Sequence, residues 1–482
     1  MRFVALAVGF DGTLARAGRY DERCVDALRA LTLTGRKLIL VTARALRELL
    51  EVFPFARIFD YLIAENGAIL HESATRRSQI LAQAPPEILV QELERRGVKP
   101  IMSGSAIITT SITNESRVRD VLNRLRLEYQ IVTNDASLII APVEVNKALG
   151  VREVLRQLGL SAHNLVVIGD AENDLALFHL AEHAVAVQNA APVIKTYADR
   201  TTVGAYCDGF LEFAHDLTEG DLLYAQSRER IAIGAFEDGR VLSLDPYNDS
   251  LLIYGPSGSG KAMLCDQLIT RLGASGYQCC LVRTCSGGPE PAEGFTALGD
   301  AQEAPRLNEV MMVLEHPSRS VLLDLTALQP EARSIFLDTL LVQLQALHDR
   351  RGRPHVLALH SFDDLTRSSV MRDAGRLSEM TRIYVSTELD RLPSGVLTSV
   401  RSIVALGTGT PSPPPAITMH PMRLATSESS QVRLAYAWTR RDPETARYRA
   451  QATADGAVCD MVRAPAADSG SVPAGGVSSV SG

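Results

Sequence analysis

Hydrophobic and polar positions fall into two long blocks with the same rhythm. From residue 1 to about 220, short apolar runs such as FVALAVGF, KLILVTA and LVVIGD are separated by amphipathic stretches such as CVDALRALTLTG and LGVREVLRQLGL. Apolar runs too short for helices, alternating with helical periodicity, predict a doubly wound parallel α/β sheet. Ligands of such sheets gather beyond the carboxyl ends of the strands, so the informative residues are those where the runs stop. The rhythm changes between 73 and 142, where PEILVQELERRG and ESRVRDVLNRLRL read as helices and KPIMSG, AIITTSI, YQIVT and SLIIAP as strands. This predicts a small α/β lobe inserted as a cap, leaving a core of 1–72 and 143–222.

A polar stretch, DLTEGDLLYAQSRE, opens a linker placed at 223–244, and a second α/β block follows over 245–410. It contains SLLIY, QCCLVRT, SVLLDL, PHVLALH, RIYVST and SIVALG as candidate buried strands, with EARSIFLDTLLVQLQALHDRRG as a long helix. TGTPSPPP breaks the pattern. Residues 411–463 are expected to form a small appendage. The Ala, Gly, Ser and Pro tail from 464 to 482 has little to bury and is expected to be disordered.

Composition narrows the class without naming a chemistry. In 482 residues, 46% hydrophobic and 22% charged content is that of a globular protein. A net charge of -7 provides no basic field for nucleic acid. The seven cysteines (24, 207, 265, 279, 280, 285 and 459) are odd in number and lack CxxC spacing, which predicts neither a disulfide framework nor a zinc site and fits a reducing cytoplasm. The N-terminus lacks the pattern of a signal peptide and there is no 18-residue apolar run, so a soluble, cytoplasmic protein without membrane association is expected.

Four segments place polar residues at strand ends or helix starts in the first block: GFDGTL, VTAR with Thr42, VNKALG with Lys147, and IGDAENDLALF with Asp170 and Asp174. Each alone reads as a cap or a turn. In this order they resemble the haloacid dehalogenase (HAD) superfamily, in its Cof-like phosphatase branch, and AENGAIL (64–70) and AVAVQNAAPVIKTYADRTT (184–202) look like further segments of it. The resemblance implies an Asp nucleophile, a second Asp two residues later that protonates the leaving oxygen, a Thr and a Lys that hold phosphate, and later acids that carry Mg2+. Carried onto this chain, Asp11 is the acid/base and offers its backbone carbonyl to the metal, Thr42 and Lys147 hold phosphate, and Asp170, supported by Asp174, is the metal carboxylate. The nucleophile position is Gly9. Glycine supplies neither the attacking oxygen nor the metal ligand, so a weakened Mg2+ site is expected. Asp11 is the alternative nucleophile, but then it is no longer free to protonate the leaving group.

In the second block, GPSGSGKA follows an apolar run and precedes a helical pattern, the context in which GxxxxGK cradles phosphate. Gly255, Ser257, Gly258, Ser259, Gly260 and Lys261 are the expected nucleotide-binding residues, and Ala262 stands where a magnesium-binding hydroxyl is expected. The block resembles P-loop ATPases of the DNA-translocase class, and the arrangement as a whole resembles bacterial fusions of HAD hydrolases with ATPases. In that class VLALH would lead into Asp-Glu, where this chain has His360-Ser361. Asp324 and Asp363-Asp364 are possible substitutes, or a cap and a solvated turn respectively. The resulting expectation is a HAD-like and P-loop pseudoenzyme that binds a phosphorylated small molecule and ATP as a regulator or partner, as a homo- or hetero-oligomer. The alternatives are a residual Mg2+-dependent phosphatase acting through Asp11 and Asp170, and an ATPase acting through Asp324.

Overall fold

The computed structural model describes residues 1–439 apart from 135, 223–224, 237, 248, 286–292, 363–379, 388–391, 408–419 and 425–433. Asp363, Asp364 and the 464–482 tail lie outside the described residues.

The first apolar run forms the strand Ala5–Gly9, whose five residues are all buried. It sits between Leu165–Gly169 and Lys37–Val41, parallel to both. The full sheet runs Arg200–Thr201, His183–Ala186, Leu165–Gly169, Ala5–Gly9, Lys37–Val41, Tyr61–Ala64, Ile69–Glu72, Arg77–Ile80, the last two antiparallel. Helices cover both faces. Glu22–Leu33, capped by the Asp21 side chain, buries Cys24, Val25, Leu28 and Leu31, a helical stripe that packs on Tyr206–Gly220. Each fully buried Leu, Val or Phe of this core contributes about 1.5–3 kcal/mol.

The inserted lobe is a four-stranded antiparallel sheet, Tyr129–Asn134, Ser137–Pro142, Ile108–Ser111, Met102–Ser103, backed by helices Glu87–Arg95 and Glu115–Leu125. Its start needs correcting: Arg77–Ile80 pairs with Ile69–Glu72 in the core sheet, so the first residues assigned to the cap belong to the core. That strand is polar and exposed, and it carries no periodic apolar signal.

The second block folds around an 11-stranded sheet. From Ser402–Gly407 through Ser250–Tyr254, Thr381–Ser386, Val356–Leu359, Cys279–Arg283 and Ser320–Asp324 to Phe295–Leu298 it is parallel. Two boundaries drawn from sequence move. Ile231–Phe236 and Val241–Leu244, assigned to the linker, form a hairpin on this sheet. His420–Leu424 and Leu434–Thr439, assigned to the appendage, join it antiparallel to Ile231–Phe236 and Ser402–Gly407. Only His420–Leu424, with its Pro and Arg, has a loop-like composition; Ile231–Phe236, Val241–Leu244 and Leu434–Thr439 are apolar runs that the boundaries drawn from sequence passed over.

A second correction concerns cysteine. Cys24 and Cys207 form a disulfide that ties the first helix to Tyr206–Gly220, a pairing of residues 183 positions apart that spacing alone does not show. No helix among the described residues is long and apolar enough to cross a membrane.

The two domains meet through buried polar groups. The Arg2 guanidinium lies 3.1 Å from Glu182 and 4.1 Å from the centroid of the Tyr247 ring. His163 stacks on Tyr277 at 3.8 Å and donates from Nδ1 to the Glu182 carboxylate at 2.7 Å. The Asn164 amide donates to the carbonyls of Arg2 and Gly352, and Arg353 donates to those of Gly159 and Glu315.

Candidate active site

The carboxyl ends of three adjacent strands bring the first set of residues together. Gly9 ends Ala5–Gly9 beside Val41, the last residue before Thr42, while Gly169 on the other side leads into Asp170. Asp11 follows in a turn whose Gly12 has φ +77°, and a Cβ at Gly12 would lie 1.8 Å from Asp170 Oδ2. Only glycine lets the Asp170 carboxylate lie against that backbone. Thr13 donates to Asp170 Oδ1 at 2.9 Å.

Lys147 begins the helix Lys147–Leu158 and is nearly fully buried. Its Nζ lies 2.6 Å from Asp174 Oδ1, while Asp174 Oδ2 accepts from the backbone N–H groups of Asp170 and Ala171. Both Asp174 oxygens are therefore engaged, and its part is to hold Lys147 and the Asp170 turn in place. Burial, reinforced by Asp174, pushes the Asp170 carboxyl up to about 7, against the opposing effect of Lys147.

Several residues of this site carried no role in the sequence reading. Arg44 forks onto Asp11, donating from Nε at 2.6 Å and from Nη2 at 2.8 Å, and it also pairs with Glu48. The Thr42 hydroxyl accepts from the Arg44 backbone N–H, so the phosphate-binding candidate also shapes the turn that aims the guanidinium. Asn189 bridges the first and last segments, donating to the Gly12 carbonyl and accepting from the Tyr206 N–H. Glu65 adopts φ +51° and is almost fully buried, and its two oxygens accept the N–H groups of Ser105 and Ala106 in the inserted lobe, both at 3.0 Å. AENGAIL was visible as a segment, but nothing in it says that its Glu reaches across to the cap.

Gly9 differs from Gly12 in kind. Its φ lies outside the left-handed region, and the atoms nearest a Cβ there would be Thr13 Oγ1 at 3.0 Å and Thr13 Cβ and Gly169 Cα at 3.5 and 3.7 Å. The backbone does not require glycine; what is missing is the side chain.

The family profile of haloacid dehalogenase-like hydrolases matches residues 6–115 and 90–213. The phosphoglycolate phosphatase of Halobacterium salinarum is 30% identical over 223 residues, covering 43% of this chain and 93% of that protein. The chain belongs to the haloacid dehalogenase-like hydrolases. The phosphoglycolate phosphatase of Methanothermobacter thermautotrophicus is 27% identical over 215 residues, 43% of this chain and 96% of that protein. A haloacid dehalogenase-like hydrolase from Bacteroides thetaiotaomicron, known as a crystal structure, aligns over 45% of this chain and 99% of its own at 17% identity and a TM-score of 0.41.

At the family level the HAD domain is of phosphatase type, and phosphatases of this family generally use Mg2+. Of the residues expected around that ion, position 9 has no carboxylate, Asp11 is forked by Arg44, and Asp174 is bound by Lys147. Among the described residues no three His, Cys, Asp or Glu side chains are grouped as ligands for a metal ion.

In the second domain, Lys261 starts the helix Lys261–Ala274 after the strand Ser250–Tyr254. His360 is buried and faces inward, with Nε2 3.4 Å from Asp266 Oδ1, and Asp266 is paired with Arg283 at 2.9 Å. Burial pulls the His360 imidazole down to about 4, so it is neutral. Asp324 is displaced from the loop that precedes Lys261: its strand lies four places from Ser250–Tyr254, about 19 Å at ordinary strand spacing. Its Oδ1 accepts the Thr326 N–H, the local cap bond of a turn, so Asp324 cannot serve the loop as an ATPase acid.

Proposed function

We propose that the HAD domain binds the phosphate group of a small phosphorylated metabolite without hydrolysing it, and acts as a regulator or partner rather than as a phosphatase. Gly9 carries this reading. At that strand end a covalent phosphatase needs a carboxylate, and the position of Thr42 and Lys147 beside it supports phosphate binding without transfer. Loss of a covalent nucleophile costs roughly a million-fold in turnover in a well-studied hydrolase, enough to end catalysis in practice. Asp11 is a poor substitute because its carboxylate is already forked by Arg44.

The experiment is to restore the missing group. Wild-type protein and Gly9→Asp are assayed for Mg2+-dependent phosphate release from a general phosphatase substrate. The expected result is no turnover in the wild type and measurable turnover in Gly9→Asp, whose Cβ needs Thr13 to give by only a few tenths of an ångström. Wild-type turnover abolished by Asp11→Ala would overturn the reading in favour of a residual phosphatase. The reading extends to the second domain, for which we propose binding of a nucleotide at GPSGSGK without hydrolysis, supported by the motif and by the inward-facing, neutral His360.

A further inference from the structure

We propose that the loop from Gly255 to Lys261 holds the phosphates of a nucleoside di- or triphosphate without a divalent cation. This rests on the nucleotide reading above and adds the means of binding. The strand Ser250–Tyr254 is entirely buried and lies between two parallel neighbours, so the loop leaves from within the sheet, away from its edges. Gly255 has φ +152°, and a Cβ there would lie 2.0 Å from the Leu406 carbonyl oxygen. Glycine is required for the chain to turn this close to the next strand. The loop then enters a helix of 14 residues, whose first N–H groups and dipole favour an anion.

Two side chains point to that anion. Lys261 is more than nine-tenths buried and its Nζ donates to the carbonyls of Gly255 and Pro256 at 2.6 and 2.8 Å, curled beneath the loop it would release on meeting a phosphate. Ser259 is 9% exposed and its hydroxyl, 3.0 Å from where a Gly255 Cβ would stand, has no hydrogen-bond partner. A buried hydroxyl without a partner is costly unless something binds there.

Among the described residues a cation finds no comparable set. Ala262 offers a methyl group where a hydroxyl would hold magnesium. Among the described residues, the neighbouring strand ends carry Gly407 on one side and Ser386, then His360 and Arg283, on the other, none of them a carboxylate. The nearby acid on the helix, Asp266, is occupied by Arg283 and faces His360. The anion therefore has an ammonium, amides and a hydroxyl, while among the described residues the metal has no carboxylate ligand at this loop.

The test uses the full-length protein titrated with ATP and with ADP by calorimetry, in excess EDTA and in excess Mg2+. Dissociation constants equal within about twofold in the two buffers are expected, with Lys261→Ala weakening EDTA binding by about tenfold to a hundredfold, the worth of a charged hydrogen bond. Wild-type binding that appears only with Mg2+ would overturn metal-free binding and leave the nucleotide reading standing. Absence of binding in both buffers would overturn both. EDTA binding unchanged in a folded Lys261→Ala protein would place the nucleotide elsewhere and also overturn the proposal. The comparison of buffers needs no variant, so misfolding of Lys261→Ala does not blunt it.

Discussion

Gly9 and Asp170 stand side by side at the strand ends and pose opposite problems, one a missing carboxylate and the other a carboxylate in surroundings that resist its charge. The Asp170 carboxyl is raised to about 7 by burial and by Asp174. The native state therefore binds more protons than the unfolded chain between about pH 4 and pH 7, and stability falls as pH rises through that window, by about 1.4 kcal/mol per pH unit. Asp170→Asn keeps the shape and removes the titration. In EDTA, its urea unfolding at pH 8 is expected to require about 2 kcal/mol more than the wild type, with the difference shrinking toward pH 5; a constant difference would show that Asp170 is already ionised at pH 5. At this scale the order of segments was enough to group Asp11, Thr42, Lys147 and Asp170 at one end of the sheet, where the fold puts them. That order was silent on Arg44 and Glu65, whose partners lie 33 and 40 positions away and come near only through the fold.

Among the elements, the inserted lobe is tied to the core by Glu65 together with a buried apolar cluster of Ala68, Ala106, Ile107, Ile139, Ala141 and Val145. Glu65 accepts two backbone N–H groups from residues 105–106, and each such bond to a carboxylate contributes about 1.5–3 kcal/mol when buried. Glu65→Gln places an amide donor against one of those N–H groups. Amide hydrogen exchange at residues 104–107 is expected to speed up about tenfold to a hundredfold while the core strand Ala5–Gly9 stays protected; unchanged exchange would mean that the lobe is seated by other contacts. Strands with continuous apolar runs were legible because burial on both faces requires them. Arg77–Ile80 and His420–Leu424 were not, since they are strands at or near sheet margins, defined by the partner they pair with rather than by their own pattern.

For the molecule as a whole, the contact between domains consists of groups that cannot be exposed or separated cheaply. Glu182 is almost completely buried and is served by Arg2, His163 and Tyr277 together. Removal of one partner from such a group costs about 3–5 kcal/mol. Arg2→Ala is thus expected to lower the unfolding temperature of both domains in calorimetry, whereas loss confined to one transition would show that the domains unfold independently. Acid acts in the same direction. Burial holds the imidazoles of His183 and His360 at about 4, below their ordinary 6.5, so the unfolded chain takes up protons first and stability is lost progressively as pH falls from about 6.5 toward 4. With Asp170 weakening the fold in the other direction, maximal stability is expected near pH 6–7. The domain contact was not legible in sequence, because Arg2, His163 and Tyr277 carry no periodicity that marks them as partners. The claim on which the account rests is that phosphate is held but never transferred to the protein. Intact-mass spectrometry after acid quenching, with acetyl phosphate and Mg2+ as donor, tests it most directly: no phosphoryl adduct is expected on the wild type and one on Gly9→Asp. A phosphoryl group found on Asp11 of the wild-type chain would contradict the account.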